Sequence, residues 1–80
     1  MRATLYGYRR VDMTDDNGRS INGYSCYIGF ISQGVDGMET AKVFVGDPIA
    51  RDCKFVPKVN SKIVVDFNQK GKICGIANVE

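Results

Sequence analysis

Hydrophobic and polar residues alternate with a period near two along most of this chain, the spacing that sends successive side chains to opposite sides of a strand. Ser61 to Asn68 alternates without a break, setting Ile63, Val65 and Phe67 against Lys62, Val64 and Asp66. Lys72 to Val79 returns from a short hairpin at Gln69-Lys70-Gly71, with either Ile73, Gly75, Ala77 and Val79 or Cys74 and Ile76 turned inward. Arg2 to Met13 places Ala3, Leu5, Gly7, Arg9, Val11 and Met13 on one side and Thr4, Tyr6, Tyr8, Arg10 and Asp12 on the other. Leu5, Val11 and Met13 make the first set the inner face, with Arg9 near a sheet rim or beyond a bulge at Gly7. Tyr6, Tyr8 and Arg10 then point outward in a row. In Glu39 to Gly46, Ala41, Val43 and Val45 go inward and leave Lys42 and Phe44 outside.

The longest strand pattern is Arg19 to Ser32, rich in β-branched and aromatic residues, free of proline, and interrupted by Gly23 and Gly29 in a way that disfavours a helix. Tyr24, Cys26, Ile28 and Phe30 form its apolar side, leaving Tyr27 outward; Phe30, Phe67 and Tyr24 are expected in the core. Thr14 to Gly18 is a cluster of turn formers ending in Asn-Gly, the pair preferred where both central residues need positive φ. It closes a wing-like hairpin, and Asp15 and Asp16 serve the turn. Gln33 to Met38, with two glycines, reads equally as a flexible connection or a disordered tip. Asp47, as N-cap, and Pro48 open about two helical turns through Lys54, with Ile49, Ala50 and Cys53 facing in, followed by an extended segment around Pro57.

Five strands and one short helix in 80 residues predict a single all-β domain spanning residues 1–80, a small five-stranded antiparallel barrel of OB-fold type, with an SH3-like barrel as second choice. Closure would remove the edges that a flat sheet leaves open to aggregation. A domain this small is only marginally stable, and dimerisation is an ordinary remedy.

Composition narrows the chemistry. With 44% hydrophobic and 25% charged residues the chain is that of a folded protein. No apolar run is long enough to cross a bilayer and no signal-peptide core precedes the first strand, so a cytoplasmic location is expected, in a host if the gene is carried by a phage. Cys26, Cys53 and Cys74 are widely spaced, and the chain has no histidine. They are expected as buried free thiols; no metal site and no small-molecule cofactor is expected. Without histidine, a phosphate-cradling loop or a cysteine with a base partner, no catalytic residues can be assembled and an enzyme is not expected.

The net charge of +2 argues only through placement. Tyr6, Tyr8, Arg10, Arg19, Tyr27, Lys42 and Phe44 would together form a surface of rings and cations across the first three strands. Single-stranded nucleic acid needs that combination, rings to stack on bases and cations to meet phosphates. The alternative is a protein-binding barrel that uses the same face for a homodimer or a peptide.

The order of elements, the tyrosine-bearing strands and the segment G-R-S-I-N-G-Y-S-C-Y (Gly18 to Tyr27) resemble the small single-stranded DNA-binding proteins of filamentous phages and related mobile elements. The resemblance implies an OB-fold homodimer that coats single-stranded DNA cooperatively. It further implies that the Arg19 to Tyr24 wing contacts phosphates and that exposed tyrosines stack on bases.

Overall fold

The long first strand, β1 (Arg2–Thr14), organises the sheet, because it pairs on both sides with different parts of its length. A computed structural model describes residues 1–79 and adds β2 (Ser20–Phe30), β3 (Glu39–Gly46), β4 (Ser61–Phe67), β5 (Ile73–Val79) and a helix α1 (Asp47–Asp52) between β3 and β4. The strands lie antiparallel in the order β3-β2-β1-β4-β5. Thr4 to Thr14 pairs with β2, whereas only Arg2 to Leu5 pairs with β4. On its other side β2 stays paired with β3 as far as Gly23, opposite Val11, and only beyond that pair does the β1–β2 hairpin project past the rest of the sheet as a wing.

The expected OB-fold barrel is not formed. β3 and β5 are the two edges of an open sheet, with no ladder between them. They approach each other across a cleft whose lining includes Phe44, Ile49, Phe67 and Ile73, so side chains rather than backbone hydrogen bonds occupy the place where a barrel would close. A short overlap between β1 and β4 is enough to fold the two halves of the sheet over one core, and this leaves the edge carbonyls and amides of β3 and β5 unpaired with each other.

The core holds Leu5, Cys26, Ile28, Val45, Ile63 and Val65, all fully buried, with Ile73, Ile76, Ala50 and Phe55 around them. Tyr24 and Phe30, expected within it, are partly buried and pack against its margin. Phe67 does not join it: its position at the end of β4 leaves it 40% exposed in the cleft. Phe55 fills that role instead, through the way α1 ends. Lys54 takes a left-handed φ of 54°. Its N–H bonds to Arg51 O, and the Phe55 N–H reaches back to Ala50 O at 2.8 Å. This is the Schellman closure, and it turns an apolar residue back under the helix. Gly46, not Asp47, is the N-cap, and Asp47 is the first helical residue. In β5 neither of the two alternations holds, since a bulge between Ile73 and Gly75 turns both Ile73 and Ile76 inward.

Both hairpins end in the same turn. At Asp15-Asp16-Asn17-Gly18-Arg19 the Gly18 N–H bonds to Asp15 O, and the Asp15 carboxylate accepts from the Asn17 and Arg19 N–H groups. At Asn68-Gln69-Lys70-Gly71-Lys72 the Gly71 N–H bonds to Asn68 O, and the Asn68 side-chain oxygen accepts from Lys70 and Lys72. The glycines adopt φ of 80° and 78°. Each is a type I turn followed by a left-handed residue, so Asn17 does not take the positive φ expected of an Asn-Gly hairpin.

Candidate nucleic-acid interface

One extra residue decides which side chains share a surface. Leu5 pairs with Ile28, and the next pair is Gly7 with Tyr27, so Tyr6 is bulged out of the register. Inward-facing residues are Ala3 and Leu5 before the bulge, and Tyr8, Arg10 and Asp12 after it. The expected row of Tyr6, Tyr8 and Arg10 is therefore split, Tyr6 to the outer side and the other two to the core side, and Arg9 moves outward. A bulge beside Gly7, one of the two placements the sequence allows for Arg9, also turns every later residue of β1 to the opposite side, which simple alternation does not show.

On the core side, beyond the buried residues, Tyr8 meets Tyr24 edge to face with ring centres 5.9 Å apart. Arg10 lies over the Tyr24 ring, its guanidinium carbon 5.1 Å from the centre. Arg10 Nε and Nη2 donate to Asp12 at 3.1 and 2.8 Å, and Nη1 and Nη2 donate to Asp47 at 2.7 and 2.8 Å. The hydrogen bonds it donates to Asp47, then to Asp12, raise the Arg10 pKa further above its already high value. The Asp47 carboxyl is held below its usual range, chiefly by those same bonds. Asp47 is thereby used to tie the hairpin root to α1 rather than to cap the helix. A guanidinium between two carboxylates is a poor phosphate ligand, so Arg10 belongs to this structural group.

The outer side differs. Register across β1, β2 and β3 gives the rows Val11–Gly23–Gly46, Arg9–Ser25–Phe44 and Gly7–Tyr27–Lys42, then Thr4–Gly29–Thr40. Tyr6 lies over the last row, its Cε2 only 2.5 Å from where a Cβ on Gly29 would stand. Phe44 covers Gly23, its Cζ 2.8 Å from the same position there. Two glycines in β2 thus let rings from the flanking strands come close over the sheet, while Tyr6, Tyr27 and Phe44 remain 46%, 39% and 42% exposed. Tyr6, Tyr27 and Lys42 border a depression of about 500 Å³. Arg9 and Lys42 are exposed and take part in neither ion pair. Among the described residues none of the outward positions of β1–β3 carries a carboxylate. Arg2 and Lys62 continue the same side toward β4, where Lys62 Nζ donates to Thr4 Oγ1 at 3.2 Å and Asp66 lies further along.

Of the expected surface, Tyr6, Tyr27, Lys42 and Phe44 share this face, Tyr8 and Arg10 do not, and Arg19 sits exposed at the far turn of the hairpin. Arg9 was missed. The cysteines are unpaired, but only Cys26 is fully buried, its thiol pushed up to about 11 by burial; Cys53 is half-buried and Cys74 exposed. No group that could hold a metal occurs among the described residues, and among them no helix is long and apolar enough to cross a membrane.

Comparison with protein-family models, curated proteins and solved structures finds no match to this chain. The resemblance to the phage single-stranded DNA-binding proteins is therefore set aside, since the open sheet lacks the barrel that it implied.

Proposed function

We propose that this protein binds single-stranded DNA without strong sequence preference, through the outward face of β1–β3. The observation that carries the reading is the segregation of charge: Arg9 and Lys42 flank Tyr6, Tyr27 and Phe44 on a face whose described β1–β3 positions carry no carboxylate, while Asp12, Glu39 and Asp47 fall on the other side or at its margin and Asp66 lies away on β4. Half-exposed rings on a sheet offer flat surfaces to any base, at about 1 to 3 kcal/mol per stacked base, and unpaired cations beside them neutralise the phosphates that link the bases. The three free thiols accord with a reducing, cytoplasmic setting.

Fluorescence anisotropy of a labelled oligothymidine at low salt tests this. Affinity is expected to fall with salt at a slope of about −0.7 per phosphate neutralised, so Arg9→Gln and Lys42→Gln should each flatten the slope by about that amount and Arg10→Gln should not. Anisotropy that stays flat into tens of micromolar protein would remove the DNA reading and leave the same face to a protein partner, whose apolar contact would not weaken with salt.

A further inference from the structure

We propose that the cleft between β3 and β5 holds one unstacked base of the bound strand, a role that rests on the DNA-binding reading and adds a second ring surface to it. The cleft is about 550 Å³, within the roughly 300 to 1,000 Å³ usual for sites that enclose small flat molecules. Pro48, Ile49 and Phe67 give it an apolar lining, and Lys42 and Lys72 supply its charge, with no carboxylate among the lining residues. Neither ammonium group has an ion-pair partner among the described residues. Apolar walls between two cations match an anionic chain that carries flat rings.

Continuity with the outward face selects the occupant. Phe44 and Lys42 belong to that face through β3 and also line the cleft, so a strand crossing Tyr27 and Lys42 meets its mouth without leaving the protein surface. The turn that presents Lys72 is held by Asn68, whose side-chain oxygen accepts from the Lys70 and Lys72 N–H groups, so the cation stands on a fixed loop. Phe67, exposed at the end of β4 where the alternation of the sequence asked for burial, gains a stacking partner there.

The test uses oligothymidine and an abasic oligomer of equal length and charge. Phe67→Ala should weaken oligothymidine about tenfold and leave the weaker abasic binding unchanged, with Phe67→Leu, which keeps the apolar volume, showing most of the same loss. Photo-cross-linking of an oligomer carrying 5-iododeoxyuridine to the parent protein should mark Phe44 or Phe67. Oligothymidine binding that persists in both variants, with cross-links confined to Tyr6 and Tyr27, would overturn the cleft assignment while sparing the DNA reading; no binding by the parent protein would remove both. A dimer of the unliganded protein in sedimentation that Phe67→Ala dissociates would give the cleft to a second copy and overturn the proposal.

Discussion

Two groups of rings and cations stand on opposite sides of the β1–β2 hairpin, built from neighbouring residues of the same strand, yet they are chemically unlike. On the core side, Tyr8, Tyr24 and Arg10 satisfy one another, and four hydrogen bonds to Asp12 and Asp47 close the set. On the outer side, Tyr6, Tyr27 and Phe44 lie over glycines or open ground, and Arg9 and Lys42 have no ion-pair partner among the described residues. The first group has spent its valences on holding the hairpin to α1. The second has kept them, and this separates a structural arginine from a binding one when both sit half-exposed beside a tyrosine.

The comparison breaks hardest at Gly23. A Cβ there would stand 2.3 Å from the carbonyl oxygen of Val45 and 2.9 Å from Gly46 Cα, backbone atoms that cannot swing aside. Gly23→Ala is expected to cost about 2 to 3 kcal/mol in urea denaturation, the scale of overpacking, and to loosen the β2–β3 pairing on which Phe44 and Lys42 depend.

Gly29→Ala acts more selectively. Its added methyl collides with the Tyr6 ring, a side chain free to move outward, so the fold should lose no more than about 1 kcal/mol. Oligothymidine affinity should nevertheless fall about threefold to tenfold as Tyr6 is lifted from its place, with no change in the Tyr8–Tyr24–Arg10 group. Unchanged affinity would remove Tyr6 from the binding face.

The smallest effect is electrostatic. The Asp47 carboxyl is held low by Arg10, so its contribution to stability is complete above the ordinary carboxylate value of about 4 and is lost as the pH falls through the depressed one. Thermal melts should therefore show the parent protein above Asp47→Asn at neutral pH and the two curves converging in acid. A gap that persists below that range would mean that Asp47 acts by something other than its charge.

Much of the fold was legible because burial is written in alternation. The inward face of β2, the burial of Ile63 and Val65 in β4, the places of the hairpins, the helix after Gly46 and the outward Phe44 and Lys42 all follow from period two and turn chemistry. What failed has a common cause. A bulge shifts every later residue of a strand to the other face at the cost of one residue; Gly7 hints at the first, but a glycine does not say whether the register slips there or beside Cys74. The barrel failed for a different reason: strand count does not say whether the last edge meets the third, because closure depends on the overlap between β1 and β4, which is set by the sheet as a whole. Phe55 was passed over because its burial comes from the left-handed Lys54 at the helix end, which has no alternation to reveal it.

The most direct test sets Tyr27→Ala beside Tyr8→Ala in parallel oligothymidine titrations at low salt. The two rings are almost equally exposed, 39% and 42%, and belong to adjacent residue pairs of the same hairpin, so exposure alone predicts equal effects. Tyr27→Ala is expected to lose about tenfold in affinity with stability nearly unchanged, and Tyr8→Ala to melt at a lower temperature with affinity retained. Equal losses of affinity, or a loss confined to Tyr8→Ala, would contradict the assignment of binding to the outward face.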